Sequence, residues 1–246
     1  MQTFPPLPDW CSLEHQVAQI LTQQEQHGWY FNERQAYELE STLRSELESL
    51  TNSLRERHPF IRGAEFTPKR NNKTSGYFEG CTFTRNKEFN PTSRDHIAWV
   101  MEKCYGWKPT QFTDKGKPVI DEVVLKDIGT PIALQFFRCL ELTKSLGMLS
   151  EGVNAWLKLV RNNRIHHHCS VATNTFRCAH RKPNLAQVPS DADFRKLFTA
   201  TPGQVMVGAD LSGIELRMLA HYLARYDEGR YASILLHGDI HQENAD

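Results

Sequence analysis

The chain has 246 residues, with 29 Lys+Arg against 29 Asp+Glu and a formal net charge of zero. That length carries one large or two medium domains, and 39% hydrophobic with 24% charged residues supports a packed core and excludes global disorder. Neutrality excludes a uniformly polybasic nucleic-acid binder, so any phosphate-gripping surface must be local.

In chain order, "PPLPDW" is an extended lead-in. "SLEHQVAQILTQQEQHG" predicts a helix opened by Ser12 as N-cap, with Leu13, Val17, Ile20 and Leu21 at helical spacing and Gly28 as the stop. A longer helix is predicted from about Glu33 to Arg57, where Leu39, Leu43, Leu47, Leu50 and Leu54 make one apolar face on a charged rod. The stretch from His58 to Ser93, rich in Asn, Thr, Gly and bases, reads as a loop or small irregular insertion. Short helices follow in "SRDHIAWVMEKCYGW" and in "DEVVLKDIG", the second opened by Asp121. "TPIALQFFRCLELTKSLGML" is a strong helix with Pro131 in its first turn, and "EGVNAWLKLV" reads as its helical continuation.

Beyond residue 160 the pattern changes. "NRIHHHCSVATNTFRC" reads as short β runs around polar turns, "PNLAQVPS" as a proline-bracketed loop, and "DADFRKLF" as a short helix capped by Asp191. "GQVMVGAD" reads as an apolar strand, "SGIELRMLAHYLARY" as a helix, "DEGRYASILLHG" as a shorter one, and "DIHQEN" as the opening of another. A nearly all-helical first part followed by mixed strands and helices predicts an α+β chain of two structural units. From Lys158 to Lys196 there are eight Lys/Arg and two Asp, the local basic strip that a duplex-gripping surface requires. No apolar run approaches the ~20 residues of a membrane span. The six scattered cysteines lack a CxxC pair and fit free thiols in a reducing compartment. Cys169, Cys178 and His180 lack the spacing and the fourth ligand of a structural zinc site.

The chemistry concentrates in "VGADLSGIELR", where an apolar run meets Asp210 and a Ser-Gly turn leads into a charged helix. A carboxylate at the end of a rigid strand suits a hard cation such as Mg²⁺, which is usually held by one or two carboxylates plus substrate phosphates. Turn amides and the helix N-terminus near Gly213 favour an anion such as a triphosphate. Asp210 could equally be only the N-cap of that helix. His241, in the first turn of the last helix, could reach a phosphate oxygen.

"DLSGIELRMLAHYLARYDEGRYASILLHGDIHQENA" closely resembles motif A and the start of the fingers in family A (polymerase-I-like) DNA polymerases, particularly the phage replicative branch. "TNTFRCAHRKPNLAQVPS" is similar to the family's T-x-R…PNLQ-type block, "FNPTSRDHIAWVMEKCYGWKPTQFTDKGKPVIDEVVL" to the thumb segment, and "LEHQVAQILTQQEQHGWYFN" to the helix entering it. The resemblance implies a lead-in and helix over 1–32 and a helical thumb over 33–160, with the basic insertion at about 58–90. A partial palm containing motif A over 161–213 and a short fingers stub over 214–246 follow. It implies that Asp210 is one of two aspartates binding two Mg²⁺ ions, with the Leu211 carbonyl as a further ligand. Ser212, Gly213 and Ile214 would line the incoming-dNTP pocket, Glu215 would stand beside the sugar and disfavour ribonucleotides, and His241 would contact phosphates. Arg177, Asn184 and Gln187 would reach the primer–template near its minor groove, where acceptors common to every base pair permit sequence-tolerant checking. Lys144 would meet a backbone phosphate, which positions a duplex without reading it.

The family's lysine- and tyrosine-bearing motif B and its second aspartate, in motif C, have no counterpart in these residues. One carboxylate cannot hold two Mg²⁺ ions, so the chain alone is expected not to extend primers and to need a complementary polymerase fragment carrying those motifs. The competing readings are a non-catalytic primer–template-binding module and, more remotely, an unrelated Mg²⁺-dependent phosphodiesterase built on Asp210, Asp239 and His241. The basic insertion lies where some phage relatives carry a processivity-factor loop, but its sequence carries no such loop across. Lys69, Arg70, Lys73, Arg85 and Lys87 would serve there as phosphate contacts. A phage-encoded protein in a bacterial cytoplasm is the expected setting.

Overall fold

The structure is a computed structural model that describes residues 8–175, 177–238 and 242. It divides into two compact units, Met1–Thr201 and Pro202–Asp246. Helix α1 (Asp9–His27) begins directly after Pro8, a turn earlier than a cap at Ser12 predicts, and stops at Gly28 with φ +65°. Proline at the N-cap fixes φ for helix entry, and the Gly28 amide returns a bond to the Gln24 carbonyl. At that left-handed position a Cβ would meet the His166 ring at 2.8 Å.

Strand β1 (Trp29–Tyr30) pairs antiparallel with β4 (Arg164–Ile165). On its other side, Asn32 N–H donates to the Leu197 carbonyl at 2.8 Å and Thr199 N–H to the Tyr30 carbonyl at 3.2 Å. This short segment therefore stitches distant parts of the first unit together. Helix α2 (Glu33–Arg57) is capped by the Asn32 side chain, which accepts from Gln35 N–H. Helices α3 (Arg94–Tyr105), α4 (Glu122–Ile128) and α5 (Pro131–Leu146) follow where the sequence places them. The Asp121 carboxylate accepts from the amides of Val123 and Val124, and Thr130 caps α5 ahead of Pro131.

Helix α2 packs along α5, and two core clusters follow one another along that seam. One cluster gathers Leu54, Phe89, Ile97, Met101, Leu125 and Phe136; the other gathers Phe31, Leu43, Leu142, Leu146, Trp156 and Ile165. The buried residues of α5 from Ile132 to Leu140 belong to the first and Leu142 and Leu146 to the second, so the two clusters divide the buried face of α5 along its length. Trp156 is 1% exposed and is met edge-on by Phe31, Phe194 and Phe198 at centroid distances of 6.1, 6.0 and 5.0 Å.

Three expectations are corrected. The stretch read as an irregular insertion contains an antiparallel hairpin, β2 (Phe60–Phe66) with β3 (Phe83–Glu88). Its ladder shifts between Arg62 and Glu65, where a Cβ on Gly63 would lie 1.9 Å from the Arg85 carbonyl oxygen. Close backbone approach at a bulge explains that glycine. Second, α5 does not run on smoothly. A π turn over Gly147–Glu151 ends at Gly152, and helix resumes only as α6 (Trp156–Leu159).

Third, "GQVMVGAD" forms no strand: residues 204–210 are irregular, with Val205 84% and Val207 86% exposed. A strand needs a neighbour to take its amides and carbonyls, and among the described residues none pairs with it. The first unit is completed by β5 (His168–Ser170) paired with β6 (Ala179–Arg181), a 3₁₀ turn at Leu185–Gln187, and α7 (Ala192–Arg195) capped by Asp191. The second unit contains α8 (Ile214–Asp227) packed on α9 (Arg230–His237). No described helix is long and apolar enough to cross a membrane.

Candidate nucleic-acid interface

In the first unit, three of the four residues expected to touch DNA line one cleft of about 850 Å³: Lys144, Asn184 and Gln187. They arrive from different elements. Lys144 stands on the last turn of α5, while Asn184 caps the 3₁₀ turn in which Gln187 lies. The Asn184 Oδ1 accepts from Ala186 N–H at 3.1 Å, which engages the amide oxygen and leaves the NH₂ as the group that can donate. A donor there suits the acceptors that every base pair offers in the minor groove.

The cleft is not uniformly basic. Glu46, Glu141, Asp191 and Asp193 also line it. Two of these acids are occupied by Arg138: its Nε and Nη2 donate to the two Glu46 carboxylate oxygens at 2.6 and 2.8 Å, and its Nη1 to Glu141 at 2.7 Å. The Arg138 hydrogen bonds hold the Glu46 carboxyl below its usual range, against the opposing effect of burial. Lys144 therefore faces a wall whose carboxylates are partly neutralised. In the sequence Arg138 is marked only by its i,i+3 spacing to Glu141, because its Glu46 partner lies on a different helix.

Arg177 does not line the cleft. It is exposed on the turn joining β5 to β6, where its carbonyl accepts from the Thr173 hydroxyl at 2.9 Å. Strand β6 lies beside the 3₁₀ turn that carries Gln187.

In the second unit, Asp210, Leu211, Ser212, Gly213, Ile214 and Glu215 are all exposed. The N-cap of α8 is Gly213, at φ +59° and with no side-chain cap bond. Asp210 is thus not the helix cap. The left-handed glycine lets the chain reverse without Cβ strain, and two bonds hold the reversal: Ile214 N–H to the Leu211 carbonyl at 3.3 Å and Arg217 Nε to the Ser212 carbonyl at 2.7 Å. The Leu211 carbonyl keeps a second lone pair for another partner. His241, and with it Asp239, lies outside the described residues. Among the described residues no group of three or more His, Cys, Asp or Glu is arranged to hold a metal ion. A single exposed carboxylate at Asp210 does not fit a two-ion site by itself.

The architecture is that of a polymerase domain. It superposes on the POL domain of Pol1 from M. smegmatis, a structure in complex with DNA primer-template and dNTP, with a TM-score of 0.64 at 19% identity, covering 92% of this chain and 36% of that one. Residues 66–246 match DNA polymerase family A, and the chain belongs to that family. The DNA-directed DNA polymerases of Enterobacteria phage T3 and Escherichia phage T7 are each 32% identical to it over 94% of its length. The thermostable DNA polymerase I of Thermus aquaticus is 31% identical over 64%. The chain spans 42% of the length of each phage relative.

Proposed function

We propose that the chain supplies the thumb, the first part of the palm and the start of the fingers of a template-directed DNA polymerase, which adds dNTPs to a primer 3′ end. The observation that carries this reading is the convergence of Lys144, Asn184 and Gln187 on one cleft in a chain that belongs to family A. Lys144 neutralises a backbone phosphate, Asn184 and Gln187 donate to groove acceptors, and Arg177 adds a contact from the neighbouring turn. None of these selects a sequence, as copying any template requires.

Asp210 is the carboxylate offered to the reaction, on a loop that Gly213 and Arg217 hold in a turn. In the whole enzyme, the group attacking the dNTP α-phosphate is the primer 3′-hydroxyl, and pyrophosphate leaves. Mg²⁺ there supplies charge neutralisation of the phosphates, and holding it requires a second carboxylate from a later palm motif. Leu211 through Ile214 wall the nucleotide pocket, and Glu215 stands at the sugar edge. His241 reaches the triphosphate.

A polypeptide limited to these 246 residues binds primer–template and does not extend it. Extension appears on co-expression with a polymerase fragment carrying motifs B and C, and Asp210→Ala in that complex removes it while leaving duplex affinity largely intact. Loss of affinity in Asp210→Ala would recast this residue as structural. A purely DNA-binding role is the second reading, favoured by the cleft lying wholly within the Met1–Thr201 unit. It prevails if the reconstituted complex binds DNA but never incorporates nucleotide.

A further inference from the structure

The β5–β6 hairpin carries two cysteines on one face. Cys169 is paired directly with His180, and Ser170 with Ala179, so Cys178 stands diagonally across the ladder from Cys169. Their environments differ: Cys169 is buried and Cys178 is exposed. Burial, reinforced by Cys178, pushes the Cys169 thiol up to about 11. Cys169 is thereby kept protonated, and Cys178 is the thiol left open to solvent.

We propose that Cys169 and Cys178 are a redox dithiol that closes to an intra-hairpin disulfide on exposure to hydrogen peroxide. In the first step the exposed Cys178 thiolate attacks peroxide, its sulfur is oxidised to a sulfenic acid, and the peroxide is reduced to water. In the second, the Cys169 sulfur attacks the Cys178 sulfur, the S–S bond forms, and the sulfenic oxygen leaves with the Cys169 proton as a second water. Diagonal cross-strand positions lie about 7–8 Å apart at Cα, just beyond the ~7 Å limit for bridging without backbone movement. Cys178 precedes the first residue of β6, outside the ladder, so its backbone can supply that movement. The other described cysteines offer no such arrangement: Cys139 is buried in the α5 core, and Cys11, Cys81 and Cys104 sit on separate elements.

Arg177 immediately precedes Cys178. Closing the bond draws that backbone toward β5, and with it the turn assigned above to primer–template binding. This consequence rests on the polymerase reading; the bond itself does not.

The test treats the full chain with hydrogen peroxide, blocks remaining thiols and digests with trypsin without reductant. Cleavage after Arg177 separates Ile165–Arg177, which carries Cys169, from Cys178–Arg181. The expected product is these two peptides joined, lighter by two hydrogens than their sum and parted by dithiothreitol. It is absent in Cys169→Ser, where Cys178 instead goes on to the sulfinic acid. Wild-type chain in which Cys178 becomes sulfinic while Cys169 stays alkylatable, or in which either cysteine links to Cys11, Cys81 or Cys104, overturns the dithiol. Duplex affinity, measured on the same oxidised sample, is expected to fall severalfold and recover on reduction. A closed bond with unchanged affinity removes the turn from the DNA-binding surface and leaves the dithiol standing.

Discussion

Arg138 clasps Glu46 through two near-parallel bonds of 2.6 and 2.8 Å, tying α5 to α2 at the edge of the cleft that holds Lys144, Asn184 and Gln187. The clasp positions a wall of the candidate DNA site while silencing an acid that would repel phosphate.

Glu46→Gln is expected to cost about 1 kcal/mol at neutral pH, the upper end for a pair whose side chains remain about two-fifths exposed. The Glu46 carboxyl titrates lower folded than unfolded. Its contribution is therefore complete above the ordinary glutamate value of about 4.3 and is lost as pH falls through the lowered folded value. Urea denaturation of the two proteins should give midpoints that differ at pH 7 and converge in acid. A gap that widens in acid would contradict the clasp.

Primer–template binding by Lys144→Ala and Gln187→Ala separates their roles. Removing one phosphate contact flattens the dependence of log affinity on log salt by about 0.9. Lys144→Ala should show that change, while Gln187→Ala should weaken binding at every salt concentration with the slope retained. Identical slopes in wild type and Lys144→Ala would place that lysine off the backbone path.

Acid sensitivity should begin below about pH 6.5, where an ordinary histidine titrates. His167 is 2% exposed, stacks on His180 at 5.2 Å, and has a buried Nδ1 with no hydrogen-bond partner among the described residues. Burial, then the neighbouring His180, lower its proton affinity, and burial likewise lowers His58 and His96. For these groups the unfolded chain takes up protons first, so stability is intact above the unfolded value and declines as pH falls toward the folded one. Thermal melts from pH 7.5 to 5.5 should drop less steeply for His167→Phe than for wild type. Parallel curves would assign the acid limb elsewhere.

Trp156→Ala should destabilise the first unit by about 3–5 kcal/mol, the range for emptying a large aromatic site. The ring is enclosed by Phe31 from one segment and by Phe194 and Phe198 from the turn of α7 and the residues after it, which cannot collapse together. Trp156→Phe should cost clearly less. Equal losses for the two variants would mean the indole N–H, and not the volume, is what the site requires.

Much of the chain was readable from short-range signals. The caps at Asp121 and Asp191, Pro131 at the start of α5 and the leucine stripe of α2 act within a turn or two, so their elements formed as predicted. The block around Asp210 is distinctive enough to point to family A on its own residues. What failed, failed at long range. The hairpin of β2 and β3 depends on pairing Phe60 with Glu88 across a polar insertion, and nothing local in "NNKTSGYFEG" announces a partner so far along the chain.

The sequence by itself determined the helices and the family, because both are written in residue types at fixed short spacings. Tertiary structure alone decided which residues share a surface: that Lys144 meets Asn184 and Gln187 in one cleft, that Arg138 answers Glu46, and that the β5–β6 register brings Cys178 diagonally across from Cys169. It also decided that "VMV" before Asp210 pairs with no strand among the described residues. Apolar character can mark a segment for a sheet, but only a neighbouring backbone can complete its hydrogen bonds.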